Sequence, residues 1–173
     1  MEDTKELPGD LPALLEPVCA IARQAGEQIL KIYNSDFTVE DKADGSPLTA
    51  ADRAAHQTIV EALATLTPSV PILSEEASTV DYGERSQWQR YWLVDPLDGT
   101  TNFLHGMPHW AISIAMEHKG EIVAGVIFDP AKDEMFAAEK GGGAWMNGMR
   151  LRVSDRRRMI ECVFATGIPF GAR

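Results

Sequence analysis

The amino-acid sequence predicts an α+β fold in which two long helices pack on a mostly antiparallel sheet. Two patterns carry that prediction: apolar residues recur at helical spacing in two stretches before residue 67, and after Pro68 the chain changes to short β-branched and aromatic runs separated by turn formers. Helices followed by a run of strands is the order of an α+β chain rather than of alternating βαβ units. Size agrees. With 173 residues, 45% hydrophobic and 24% charged, the chain has the balance of one globular domain with a real core, which excludes disordered and fibrous architectures.

Taken in order, residues 1–10 are polar, include Pro8 and Gly9, and are expected to form a flexible tail, with the domain proper over residues 11–173. Leu14, Val18, Ile21, Ala22, Ala25, Ile29 and Ile32 fall on one face of a helix over residues 11–33. Pro12 and Pro17 suit only a first turn, so the regular part is expected to begin near Pro17. Residues 34–47 read as irregular. A second helix over residues 49–66 has Thr49 as N-cap, Asp52 in its first turn and Ile59, Leu63 and Leu66 facing inward, and Pro68 stops it. Strands are expected over residues 70–74, 91–95, 110–117, 121–129, 135–139 and 163–166. Within residues 111–117 large apolar side chains alternate with small or polar ones, as in a sheet covered on one face. Lys119-Gly120 is a two-residue hairpin turn. Gly141-Gly142-Gly143 reads as a turn between strands, because no Lys-Ser or Lys-Thr follows it as a phosphate loop requires.

The net charge of −10 and pI near 4.8 argue against a nucleic-acid polymer as partner, since such binders gather excess Lys and Arg to displace counterions. Arg156-Arg157-Arg158 is too short to reverse this and reads as a solvated surface run. A small anionic substrate would need a local remedy such as metal ions. Cys19 and Cys162 read as reduced core thiols, with neither a disulfide framework nor a thiolate knuckle in prospect. The start Met1-Glu2-Asp3-Thr4-Lys5-Glu6 lacks the basic opening and apolar run of a signal peptide, and no later segment stays apolar long enough to span a bilayer, so a cytoplasmic protein without a membrane partner is expected. His105 and His109 stand at a zinc-binding spacing, but Pro108 separates them and the Glu of a His-Glu-x-x-His helix is missing. Met107, Met116, Met135 and Trp110 read as packing residues.

Chemistry is concentrated in Asp95-Pro96-Leu97-Asp98-Gly99-Thr100-Thr101, where a strand is expected to end and a helical turn to begin. Pro96 stiffens the turn, so the Asp95 and Asp98 carboxylates and the Leu97 carbonyl can converge as hard oxygen ligands that suit Mg²⁺ rather than zinc. Gly99 permits close approach of a ligand, and the amides of Gly99, Thr100 and Thr101 would open a helix toward a phosphate. Asp, Pro and Gly are also simply what strand-to-helix turns prefer. A second acidic pair shifts that balance: Ser74-Glu75-Glu76 follows a strand that can lie beside the Tyr91 strand and end at the same sheet edge. Asp52, in the first turn of its helix, reads either as compensation of the helix dipole or as the acceptor of a Thr100 hydroxyl that orients a metal-bound water.

These residues resemble the lithium-sensitive, magnesium-dependent sugar phosphatases of the inositol monophosphatase family, which includes the 3′(2′),5′-bisphosphate nucleotidases. The resemblance runs from about Leu14 to Arg173 and is most specific in residues 93–103, in Leu73-Ser74-Glu75-Glu76 and in Pro47-Leu48-Thr49-Ala50-Ala51-Asp52. It implies that Glu75, Asp95, Asp98 and the Leu97 carbonyl hold Mg²⁺, two or three ions in the intact site. It further implies that Asp98, Gly99, Thr100 and Thr101 bind the substrate phosphate, and that Glu75, Thr100 and Asp52 position the attacking water. The fold it implies is the N-terminal part of an αβαβα sandwich, and the assembly a homodimer. Residues 42–52 and 87–95 look like a bacterial bisphosphate nucleotidase, whereas residues 101–109 and 143–148 look like inositol monophosphatase, as a hybrid chain would. Family members are expected to continue past Arg173 with a second domain supplying a further metal-ligating Asp in a Trp-Asp-x-Ala motif, and none of the four Trp residues here precedes Asp. The sequence thus supports a Mg²⁺-dependent phosphomonoesterase acting on inositol monophosphate or a related sugar phosphate, the nucleotidase as its nearest alternative, and, from another class, a non-catalytic fragment or assembly module that keeps the fold.

Overall fold

The computed structural model describes residues 11–33, 39–41 and 47–165. Helix α1 (Leu11–Tyr33) covers the expected span, but it runs unbroken through Pro17 instead of starting there. Its buried stripe, Val18, Ile21, Ala22, Ala25 and Ile29, holds the helix together where Pro17 contributes no backbone N–H. Two short strands, β1 (Val39–Asp41) and β2 (Pro47–Thr49), pair antiparallel where the sequence reads as irregular. A pair this short carries no alternation long enough to show in the pattern. Helix α2 (Ala50–Leu66) begins right after Thr49 and buries Ala51, Asp52, Ala55, Ile59 and Leu63.

The sheet has seven strands in sequential order: β3 (Ile72–Ser74), β4 (Arg90–Asp98), β5 (Ala111–His118), β6 (Glu121–Asp129), β7 (Glu134–Glu139), β8 (Gly143–Met146) and β9 (Met149–Arg150). Only β3 and β4 are parallel, and a single-turn helix, α3 (Tyr82–Arg85), lies on the crossover between them. The β5–β6 turn has φ of 52° at Lys119 and 83° at Gly120, the left-handed pair a two-residue hairpin requires. Asn147 and Gly148, with φ of 48° and 79°, turn β8 into β9 the same way. That Asn-Gly pair is the signal that marks a hairpin which the strand pattern alone leaves unread. No strand forms over residues 163–165, and the tail expected over residues 1–10 and the end of the strand expected at 166 lie outside the described residues.

Helices α1 and α2 pack against each other and against one face of the sheet, α1 over β5, β6 and β7, α2 over β3 and β4. Strand alternation delivers Trp92, Val94, Ile112, Ile114, Met116, Val126, Phe128 and Met135 to that face, all 5% exposed or less. Trp110 and Phe103 join the core beside Tyr33, with ring centroids 4.9 to 5.7 Å apart, whereas Met107 stays at the surface. The thiols also part company with expectation: Cys19 is half-buried and Cys162 is exposed, both free. Among the described residues, no helix is long and apolar enough to cross a membrane.

Candidate active site

Parallel pairing brings the two acidic segments to one place. Ser74 stands level with Val94, and the Glu75 amide donates to the Val94 carbonyl at 3.0 Å, so Glu75 leaves β3 alongside Asp95. Strand β4 does not stop at Asp95 as the sequence suggests; it continues to Asp98 through a bulge. Asp95 pairs with Ser113 and Asp98 with Ala111, three residues on β4 against two on β5. In a regular strand, side chains three residues apart point to opposite faces. The extra residue resets the alternation and aims both carboxylates the same way. Pro96 sits inside the irregular stretch, where its missing N–H costs no ladder bond.

The electrostatics report the same convergence. Burial, the charges of Glu75 and Asp98 and a hydrogen bond with Glu75 push the Asp95 carboxyl up from 3.8 to about 7, against the opposing pull of the Leu97 amide, which donates to Asp95 Oδ1 at 3.2 Å. Repulsion among carboxylates of this kind is what a cation relieves, and the donors are the hard oxygens that Mg²⁺ takes. Among the described residues, no three His, Cys, Asp or Glu side chains stand close enough together to hold a metal ion; the acidic groups are neighbours that feel one another's charge. Glu75, Asp95 and Ser113 open into a cleft of about 450 Å³ on the face of the sheet away from α1 and α2.

After the bulge comes helix α4 (Thr100–Leu104), entered through Gly99 at φ 87°. A Cβ on Gly99 would lie 2.8 Å from the His109 carbonyl, so the chain's own packing already demands glycine here without any ligand. The first bond of the helical ladder runs from the Phe103 amide to the Gly99 carbonyl at 3.0 Å, which leaves the Thr100 and Thr101 amides ahead of the ladder. The loop is fastened from behind: the Asn102 amide donates to the His109 carbonyl at 2.8 Å, and the Tyr33, Phe103 and Trp110 rings interlock beneath it. The Thr100 hydroxyl reaches the Leu97 carbonyl at 3.0 Å, where the sequence suggests Asp52 as its acceptor. Asp52 itself is 2% exposed, among the buried residues of α2. His105 Nδ1 lies 2.7 Å from the Thr101 carbonyl, a local helix contact unrelated to zinc.

Two features were not legible beforehand. Ser113 stands opposite Asp95, and His56 contacts Ser74 with Nδ1 to Oγ at 2.8 Å. The first is implied by the alternation in residues 111–117; the second has no sequence signal, since it joins a helix to a strand 18 residues away.

Helices on one face of the sheet and acidic oxygen donors gathered on the other define the class: an α+β protein with an acidic cleft beside its parallel strand pair. Within that class, the chain belongs to the inositol monophosphatase family, whose model matches residues 10–172. It is 44% identical over 159 residues to an inositol-1-monophosphatase of Mesorhizobium japonicum, covering 91% of this chain and 59% of the relative. It is 43% identical over 147 residues to the 3′(2′),5′-bisphosphate nucleotidase CysQ of Escherichia coli, covering 83% of this chain and 59% of that one. Among solved structures, the extragenic suppressor protein suhB of Bartonella henselae matches with a TM-score of 0.80 and 42% identity over 91% of this chain and 60% of its own. The chain thus spans about three fifths of the length of the relatives it matches.

Proposed function

We propose that the chain carries the metal- and phosphate-binding portion of a Mg²⁺-dependent phosphomonoesterase that hydrolyses inositol monophosphate or a related sugar phosphate by attack of water. The observation that carries this reading is the meeting of Glu75 with Asp95 across the parallel strands, with Asp98 turned to the same side by the bulge. Glu75, Asp95, Asp98 and the Leu97 carbonyl are the residues that would hold the cations. When bound, divalent ions supply neutralisation of the phosphate and acidification of water. The protein's own part is orientation and proton handling. The Thr100 and Thr101 amides, with Gly99 leading into them, receive a phosphate oxygen; the Thr100 hydroxyl, held by the Leu97 carbonyl, and the Glu75 carboxylate orient the water, and Glu75 takes its proton. Family membership supports a homodimeric, lithium-sensitive enzyme in the cytoplasm.

The 43% identity to a nucleotidase supports a second reading, turnover of adenosine 3′,5′-bisphosphate. Assaying phosphate release from inositol-1-phosphate and from adenosine 3′,5′-bisphosphate, each with and without Mg²⁺, separates the two. Faster Mg²⁺-dependent release from the inositol ester is expected. The reverse order selects the nucleotidase, and Mg²⁺ binding without turnover of either ester selects the non-catalytic module. Asp98→Asn is expected to abolish Mg²⁺-dependent turnover while leaving the thermal midpoint nearly unchanged, because Asp98 is exposed in the folded chain. Comparable loss of folding would return Asp98 to the role of a turn residue.

A further inference from the structure

We propose that His56 is a positioning residue for Glu75, acting through Ser74, and so sets the affinity of the carboxylate cluster for divalent cations. The proposal rests on the reading of Glu75 as a cation ligand and extends it to a residue on a different element.

The geometry is a two-sided clamp. Ser74 is the last residue of β3 and is 7% exposed; Glu75 follows it directly. On one side the Glu75 amide is tied to the Val94 carbonyl at 3.0 Å, which fixes the chain relative to β4. On the other side Ser74 Oγ lies 2.8 Å from His56 Nδ1, which fixes it relative to α2. Strand β3 is only three residues long and, among the described residues, pairs with β4 alone, so within them its tip has no second strand to hold it. His56 and Asp52 stand four residues apart, on one face of α2. The same helix therefore carries buried Asp52 and grips the segment that presents Glu75. A hydroxyl buried this deeply must keep a hydrogen-bond partner, and removing the imidazole takes away its contact with α2, so the tip of β3 is drawn out of place. Partners of this kind orient ligands they never touch, and losing one typically weakens metal affinity by about 10- to 100-fold.

The test is the binding of Mg²⁺ alone, measured by calorimetry on the full chain, with thermal midpoints recorded in parallel. His56→Ala and Ser74→Ala are each expected to weaken Mg²⁺ binding by about tenfold, and the double variant no further, because both remove one contact. His56→Asn places an amide near the Nδ1 position and is expected to restore affinity to within about threefold, whereas His56→Gln, which mimics Nε2, is not. Glu75→Gln serves as the control for the underlying reading and should weaken binding most. If Glu75→Gln weakens binding while His56→Ala and Ser74→Ala leave it unchanged, the positioning role is overturned and the ligand role stands. If Glu75→Gln has no effect, both fall. Should His56→Ala fail to fold, the contrast between the Asn and Gln variants and the Ser74→Ala value decide the matter.

Discussion

The two faces of the seven-stranded sheet are made by alternate residues of the same strands, yet they differ in nearly every physical respect. On the face under α1 and α2, the cross-strand row Val94, Ile114 and Val126 is large, apolar and closed to solvent. One residue further along each strand, the row on the other face reads Asp95, Ser113, Ile127 and Phe136, with Ile127 51% exposed and Asp95 beside Glu75 at the mouth of a cleft. Stability is therefore drawn from one face and ligand chemistry is displayed on the other. A carboxylate pair can remain mutually repelling on the open side because the closed side has already stabilised the strands that carry it. The period-2 alternation of β-structure separates these two duties at single-residue resolution.

The strongest way to break the contrast is to hollow out the closed face. Trp92→Ala removes a 1%-exposed ring and the bond from its indole N–H to Thr67 Oγ1 at 2.9 Å. It should cost about 3–5 kcal/mol in denaturant unfolding. A loss below about 1 kcal/mol would mean that this face does not supply the core's stability.

Next comes Asp95, on the open face. Its carboxyl stands at about 7 in the folded chain against 3.8 as a free group, so the folded state keeps a proton that the unfolded state releases between those values. With more protons bound when folded, stability falls as pH rises from about 4 to about 7 and stays low above that window. The expected loss in the metal-free chain is a few kcal/mol at most, discounted for partial solvation. Asp95→Asn should flatten the profile and make the variant the more stable form at pH 8. Mg²⁺ added at pH 6 should expel about one proton per chain, measurable by calorimetry in two buffers of different ionisation enthalpy. An unchanged pH profile in the variant would show that Asp95 is not the titrating group.

How much of this was written in the sequence differs between the two faces. Strand β6 was readable to the residue and helix α1 in its span, though not in its regular start before Pro17, because long periodic segments report burial directly and these two are among the longest elements of the fold. The neighbouring acidic segments were readable as well, since Glu75 follows one strand and Asp95 closes the recognisable part of another. The bulge was not: a register shift is a property of two strands together, and Asp-Pro-Leu-Asp reads equally well as the end of a strand. Nor was the demand for glycine at position 99 traceable to the His109 carbonyl, which arrives from ten residues away through the fold. Gly99→Ala tests that point. A left-handed residue with a Cβ costs about 1–2 kcal/mol, and the contact at 2.8 Å with a backbone oxygen adds to it, so roughly 2 kcal/mol or more is expected together with displacement of α4. A variant of unchanged stability would mean that the turn can relax, and that glycine serves the ligand instead.

The smallest effect is expected at Ile127, and it sharpens the comparison most economically. Ile127 sits in the same strand as Val126, one residue away, with the same β-branched shape but 51% exposure in place of 1%. Val126→Ala should cost about 1–3 kcal/mol, because a buried branched side chain loses both transfer energy and packing. Ile127→Thr keeps the branching that strands favour and changes only the polarity of an exposed side chain, so its effect should stay within about 0.5 kcal/mol. The two positions share a strand and differ in the face they present, one buried under the helices and the other open. Equal losses at both positions would show that the open face is covered in solution.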